Sequence, residues 1–254
     1  MTKEDRHEFI LSQLQDKDIV FVNDLAHMLN VSLVTIRKDL TEMETNKQLY
    51  RVHGGARKLN PFANNRSVSE KEKLAREEKR VIGIEAAKLV TADDSIAIGS
   101  GTTVHAFARA IQPLHRLTAV SASLIVSDIL ADNESIDVIQ LGGMLRHSSR
   151  SVVGRNAEDA LSGFAFSKCY LGVDGIDFDF GITTTDVREA ELNQCMIQSS
   201  QRTIILADSS KFGKRGFSKI CNLQDIDLII TDAGATPQIV SKLEELGIEV
   251  IIAK

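Results

Sequence analysis

The 254-residue chain lacks most of what marks secreted, membrane-spanning or metal-bound proteins. It holds three cysteines, Cys169, Cys195 and Cys221, with no CxxC pair among them. They cannot all be disulfide-bonded within one chain, so reduced thiols in a reducing compartment are expected. The six histidines are scattered and none pairs with another at ligand spacing, so no metal site and no cofactor are expected. No apolar run approaches the length of a membrane helix. The first residues, MTKEDRHEF, are charged and carry no apolar signal segment. A cytoplasmic protein without membrane contact is the expectation. Positive charge is also short: 30 Lys and Arg stand against 35 Asp and Glu, a net of −5. That argues against a general polyanion binder, and any nucleic-acid contact must be local. Repeats and low-complexity tracts are absent. What remains is ordinary globular composition, 43% hydrophobic and 26% charged, enough for one large or two small domains.

The strongest local pattern runs from Val22 to Ala56. Val22, Leu25, Ala26 and Leu29 fall on one face of a short helix. Asn30 suits the left-handed turn that ends it, and Val31 plugs that turn. Ser32 can cap a second helix, on which Ile36, Leu40 and Met43 form a buried stripe. Thr35, Lys38 and Thr41 lie off that stripe and Arg37 beside it. Gln48 to Val52 can form a strand, followed by a His53-Gly54-Gly55-Ala56 turn and then Arg57 and Lys58. A helix, a tight turn and a second helix with hydroxyl and basic residues near its start fit a recognition helix in a major groove, with a basic wing behind it. Residues 33–58 carry six basic residues against three acidic, a net of +3, whereas residues 1–32 carry three against six. The charge therefore sits where phosphate contacts would be. The alternative is an amphipathic helical pair that only packs. The candidate DNA contacts are Ser32, Thr35, Arg37, Lys38 and Thr41 on the helix, with Arg51, His53 and Arg57 in the wing. Ahead of them, residues 3–15 read as a first helix and Ile19 to Phe21 as a short β piece.

Leu59 to Ser69, with Pro61 and three asparagines, reads as a linker. From Glu70 a helix is expected through Val90, capped by Ser67 or Ser69, with a seam of Leu74, Val81, Ile82, Glu85 and Leu89. It either packs on its own domain or spaces two copies of the chain. From Ser95 onward short apolar β-rich runs alternate with helix-length stretches, which predicts an α/β domain with a largely parallel sheet.

Ligands of such sheets sit beyond the C-terminal strand ends. The first such loop is Gly99-Ser100-Gly101-Thr102-Thr103, between a strand and a helix. Its glycines, hydroxyls and free N–H groups suit a phosphate or sulfate, though a plain strand-to-helix turn has the same outline. It is neither a Walker A loop nor a GxGxxG fingerprint. Gly142-Gly143 with Arg146 and Arg150 behind, Asp174-Gly175, Asp208 to Lys211, and Glu189 after Thr183 to Thr185 stand at other strand ends. Together they suggest a polar, anion-accepting pocket.

Two groups of motifs carry a family resemblance. VSLVTIRKDL (Val31 to Leu40) with RVHGGA (Arg51 to Ala56) resembles the signature of the DeoR family of bacterial transcriptional regulators. IGSGTT, LGG, GVDGID, EAELN and ADSSKFG resemble that family's sensor domain in its order, a domain similar to ribose-5-phosphate isomerases. The resemblance implies an α+β winged helix-turn-helix domain joined to an α/β sensor, with boundaries drawn here at 1–58, 59–73 as linker and helix start, and 74–254. It implies operator DNA, a phosphorylated sugar effector and a homo-oligomer, dimer or tetramer, as partners. It places phosphate on Ser100, Gly101, Thr102 and Thr103, and lines the pocket with Asp174, Glu189 and Lys211; by their place at strand ends, Gly142, Gly143 and Gly175 join the expected effector site. The chain departs from the family in having Lys38 for a second Arg, Gly99 for Asp, Ser121-Ala122 for Thr-Asn, and Asn193 near a usual Lys. The expected function is a repressor of a carbohydrate operon, relieved by the bound sugar phosphate. The alternative is a sugar-phosphate isomerase carrying a DNA-binding module, with Asp174, Glu189 and Lys211 as base and oxyanion stabiliser.

Overall fold

A computed structural model describes residues 2–254 apart from Asp18, Lys47, His53, 59–66, Asp93 and 113–114. The chain divides into two compact units, Met1–Asn60 and Pro61–Lys254. The proposed contact His53 and most of the expected linker thus lie outside the described residues.

In the first unit, helix α1 (Lys3–Asp16) starts with a capping box. The Thr2 hydroxyl accepts the Asp5 N–H, and the Asp5 carboxylate accepts the Thr2 N–H. Strand β1 (Ile19–Phe21) leads into α2 (Val22–Leu29), which Asn30 ends in the left-handed conformation, φ 50° and ψ 47°. The Ser32 hydroxyl accepts the Thr35 N–H at 3.1 Å and opens α3 (Leu33–Thr45). Strands β2 (Leu49–Val52) and β3 (Gly55–Lys58) join β1 in an antiparallel sheet of order β1-β3-β2. Ile10, Leu14, Val20, Leu25, Ile36, Leu40, Met43, Leu49 and Ala56 form the core. Both expected apolar stripes face it. Two details differ from the sequence reading. Gly55 and Ala56 belong to β3 and pair with Phe21 and Val20, so of the described turn residues only Gly54 stays outside the strands. Asp39 of α3 is buried, where its carboxylate takes two bonds from the Arg6 guanidinium, at 2.7 and 2.9 Å.

The second unit opens with α4 (Val68–Lys71) and α5 (Arg76–Ala87). The single helix expected from Glu70 is broken, with Ala75 at φ 48°. The cause is tertiary: the buried Lys79 ammonium donates to the Lys71 and Leu74 carbonyls, which a continuous helix would engage with its own N–H groups. There follow β4 (Ser95–Ile98), α6 (Thr102–Ala110), β5 (Leu117–Ser121), α7 (Leu124–Ala131), β6 (Ile136–Gln140), a hairpin of β7 (Met144–Arg146) and β8 (Ser151–Val153), and α8 (Arg155–Leu161). Then come β9 (Lys168–Gly172), β10 (Gly175–Asp177), β11 (Gly181–Thr184), α9 (Val187–Gln198), β12 (Thr203–Leu206), β13 (Ser218–Cys221), β14 (Leu228–Asp232), α10 (Pro237–Glu245) and β15 (Glu249–Ala253).

Seven strands form one parallel sheet of order β15-β14-β12-β9-β4-β5-β6. Side chains alternate between its faces. Ile96, Ile98, Tyr170, Ile204 and Leu206 pack with residues of α5, α6 and α7 on one side. Ala97, Leu171, Ile205 and Ile229 pack with residues of α8, α9 and α10 on the other. Gly83 lets α5 cross close over α6, since a Cβ there would stand 2.5 Å from the Ala106 carbonyl carbon. The apolar face of α5, Ile82 and Ala86, is therefore occupied within its own unit. The smaller sheet β10-β11-β13 and the β7-β8 hairpin were not legible as strands.

The order of the strands places the site. From β4 the chain winds outward through β5 to β6, and from β9 it winds the other way through β12 and β14 to β15. β4 and β9 are neighbours that lead in opposite directions, so the loops leaving them open a crevice at the switch point.

Candidate functional site

The crevice at this switch point gathers Ser100, Gly101, Thr102 and Thr103 after β4, Val173 and Asp174 after β9, and Lys211 after β12. Thr184 and Glu189 approach from β11 and α9, Arg146 from the hairpin, and Val68 and Lys71 from α4. Gly101 holds φ 117° and ψ 160°, a conformation that only glycine adopts readily. It turns the backbone so that α6 begins at Thr102 with its first N–H groups at the crevice.

A hydrogen-bond network fixes the acidic wall. The Ser100 hydroxyl donates to Glu189 at 2.8 Å. The Thr184 hydroxyl lies 3.2 Å from Asp174 and 3.3 Å from Glu189, and Thr185 donates to Asp174. Arg146 pairs with Glu189 at 3.1 Å and with Asp186 at 3.2 Å. Asp186 caps α9; hydrogen bonds from Arg188 against partial burial, with Arg146 nearby, bring its carboxyl down to about 2. Burial raises the Asp174 carboxyl, but Lys71, Lys211 and the Thr184 hydroxyl outweigh it, and the net shift is downward. Asp174 is thus an ionised acceptor. Lys211 has no ion-pair partner within 4 Å among the described residues, and it faces the crevice from a neighbouring strand end. The crevice therefore offers carboxylate acceptors on one side, and N–H groups, hydroxyls and an ammonium on the other.

Three glycines proposed for this site lie elsewhere. Gly142 and Gly143 follow β6, an edge strand two positions away from the switch point. A Cβ on Gly143 would meet the Val153 carbonyl, so that glycine serves the hairpin. Gly175 starts β10 and packs on the Lys214 carbonyl, 2.3 Å from where its Cβ would stand. Arg150 does not line the crevice either. Conversely, Lys71 lines it and was not foreseen, because nothing in the charged run from Glu70 to Arg80 singles out one lysine. Gly99 and Asn193, two departures from the family pattern, are neighbours: the Asn193 Oδ1 lies 3.7 Å from where a Gly99 Cβ would stand. The three cysteines are free; burial pushes the Cys221 thiol up to about 12 and Cys169 higher still, so neither is a nucleophile.

On the first unit, Arg37 and Lys38 are exposed on α3, opposite its buried stripe, and Thr35 is half-buried. Val34 is 59% exposed at the helix start, an apolar side chain that the α3 periodicity does not single out. Ser32 is engaged as a cap. Arg51 is engaged within the unit: one nitrogen of its guanidinium donates to the Arg37 carbonyl at 3.1 Å and to the Thr41 hydroxyl at 2.9 Å, tying β2 to α3. Thr41 in turn donates to Arg37. Arg57 is half-buried on β3.

Comparison with known proteins agrees across both units. The pattern of the DeoR-like helix-turn-helix domain matches residues 6–62, and that of the DeoR C terminal sensor domain matches residues 74–233. A putative aga operon transcriptional repressor of Escherichia coli O157:H7 is 34% identical over 98% of this chain and 93% of its own. The HTH-type transcriptional repressor GlcR of Bacillus subtilis is 31% identical over 100% and 98%. Among solved structures, ribose 5-phosphate isomerase A of Neisseria gonorrhoeae shows a distant partial likeness, TM-score 0.36 at 20% identity over 54% of this chain and 53% of that one. The isomerase alternative gives way to the full-length relatives, which are named transcriptional regulators and repressors. No helix among the described residues is long and apolar enough to cross a membrane. With both its helix-turn-helix and its sensor matched, the chain belongs to the DeoR family of transcriptional regulators.

Proposed function

We propose that the chain represses a carbohydrate operon by holding its operator with α3 and the wing, and that a phosphorylated sugar bound in the crevice releases it. The observation that carries the effector half is the convergence at one switch point of the Ser100–Thr103 turn, the Lys211 ammonium and the ionised Asp174. The turn and Lys211 suit a phosphate, and Asp174 and Glu189 suit sugar hydroxyls. The relatives' names, repressors of the aga operon and of the lactose phosphotransferase system, support the sugar-related reading.

On DNA, Arg37, Lys38 and Thr35 reach bases and phosphates, Val34 meets a thymine methyl, and Arg57 follows the backbone from the wing. Lys38 offers a point charge and not a planar fork, so its partner is a phosphate. Arg51 and Thr41 position the wing and the helix. The chain acts as a homo-oligomer, since a two-fold protein matches a palindromic operator.

Fluorescence anisotropy on the DNA upstream of the protein's own gene, with and without a panel of pentose and hexose phosphates, tests both halves. Salt-sensitive specific binding relieved by one compound is expected. Binding that no compound alters would remove the effector reading. In the same assay Lys38→Ala is expected to weaken binding and to lower the slope of log affinity against log salt by about one unit. An unchanged slope would take Lys38 off the phosphates.

A further inference from the structure

The segment from Ser67 to Ala75 lines the crevice through Val68 and Lys71, and its own packing shows how it is held. Val68 is buried, and its N–H donates to the Ser148 carbonyl at 2.7 Å. The Lys71 ammonium lies 2.6 Å from Asp174 Oδ1. Glu72 lies 3.5 Å from Nδ1 of the buried His105 and 3.7 Å from Arg109. Burial takes the His105 ring down to about 4 against the pull of Glu72, so its contact with Glu72 is one of a neutral ring. Lys79 holds the Lys71 and Leu74 carbonyls from below. The segment is thus fastened by a few polar contacts, one of them on the carboxylate that a sugar hydroxyl would need.

With the segment in place the Lys71 ammonium stands on Asp174, and Val68 lines the crevice beside it. A ligand hydroxyl that takes this carboxylate must displace the ammonium, so Lys71 and the backbone that carries it must yield. The other walls are strand ends, helix starts and the β7–β8 hairpin; the Ser67–Ala75 segment has one buried apolar anchor, Val68. It is also the part of the second unit that leads back, through residues 59–66, to Lys58 of the wing.

We propose that Ser67–Ala75 is a latch over the effector crevice, in which Lys71 occupies Asp174 in place of a ligand hydroxyl, and that opening this latch transmits occupancy to the DNA-binding unit. The proposal rests on the sugar-phosphate reading of the crevice. A phosphate on the Ser100–Thr103 turn alone leaves Lys71 on Asp174; the hydroxyls of a phosphorylated sugar compete for that carboxylate and lift the latch.

Lys71→Met in the full chain breaks the contact without any ligand. Hydrogen exchange of the 67–75 amides is expected to quicken about tenfold or more, and operator affinity to fall about fivefold or more without effector. Glu72→Gln is expected to move both in the same direction, and Lys88→Met, an exposed lysine of the same unit, to move neither. Unchanged exchange and operator affinity in Lys71→Met would overturn the latch. Should Lys71→Met also loosen β4 and β9, Glu72→Gln carries the test alone. The two readings fail separately. If Lys71→Met acts as stated but no sugar phosphate affects the wild type, the latch stands and the ligand class falls. If a sugar phosphate releases wild-type protein from DNA while the 67–75 amides stay protected, the ligand class stands and the latch falls. Inorganic phosphate alone is expected to leave these amides protected; their release by phosphate would overturn the competition at Asp174.

Discussion

Thr102→Asp is expected to abolish the response to a sugar phosphate and to leave operator affinity within about twofold of wild type, as for a change in the other unit that touches no DNA-reading residue. Thr102 is the first residue of α6, buried at the crevice, directly after the left-handed Gly101. A carboxylate there takes up the free N–H groups of the first turn and satisfies the charge of Lys211. The fold tolerates it, because an acidic residue in a first helical turn contributes about 0.3–1 kcal/mol of stability. The phosphate does not. Two unit charges 4 Å apart repel by about 4 kcal/mol at an effective dielectric of 20, about a thousandfold in affinity. Thr102→Val separates charge from the lost hydroxyl; it removes one hydrogen bond, about 1 kcal/mol, and leaves a weakened response. The carboxylate brings no hydroxyls to Asp174, so it closes the site without opening the latch. Anisotropy titration of the operator complex with the effector reads the outcome directly. A Thr102→Asp protein released at wild-type effector concentrations would remove the Ser100–Thr103 turn from the site.

What the sequence revealed and what it hid follow from the range of the forces involved. The parallel sheet was legible because both its faces are buried, so Ser95–Ile98, Leu228–Asp232 and their neighbours are apolar runs. The strands β7, β10 and β11 are three or four residues long and are placed by pairing alone, which leaves no periodic trace. The helix-turn-helix was legible because its signals are local: Asn30 for the left-handed turn, Ser32 for the cap, Ile36, Leu40 and Met43 for the stripe. Asp39 was not, since its burial depends on Arg6, 33 residues away. The break at Ala75 is of the same kind. The residues around it are good helix formers, and a buried lysine four positions on decides against them.

The crevice divides along the same line. Gly101 and Gly142-Gly143 read alike in sequence, as glycines after a strand. Only strand order tells them apart: β4 borders the switch point, and β6 is the edge of the sheet. Asp174 and Lys211 were legible as polar residues after strands, and it is strand order that sets β9 and its neighbour β12 at the crevice. Lys71 enters through tertiary packing of a segment whose composition says only that it is charged.

The two glycines of the wing carry the sharpest contrast, and Gly55→Ala is expected to bring operator binding below detection while Gly54→Asn keeps it. Gly54 has φ 74° and open space where a Cβ would stand. Its requirement is conformational: a left-handed backbone costs an ordinary L-residue about 1–2 kcal/mol, and Asn less. Gly55 has an ordinary backbone and no room. It sits opposite Phe21 in the β1–β3 ladder, and a Cβ would lie 2.1 Å from the Val20 carbonyl oxygen. No rotamer relieves a clash between a Cβ and a backbone carbonyl, so the ladder must open. Opening it undoes the Ile19–Arg57, Val20–Ala56 and Phe21–Gly55 pairings and uncovers Val20 and Ala56 of the core. In a unit this small a single core supplies about 3–5 kcal/mol in all, so an insertion penalty of about 1–3 kcal/mol with the ladder lost removes most of it. The wing then no longer holds Arg57 in register between Ile19 and Tyr50. Thermal unfolding of the two units in the full chain separates cause from effect: the first transition falls steeply in Gly55→Ala and the second stays. Wild-type operator affinity in Gly55→Ala would mean that the β1–β3 pairing is not needed to present α3 to DNA.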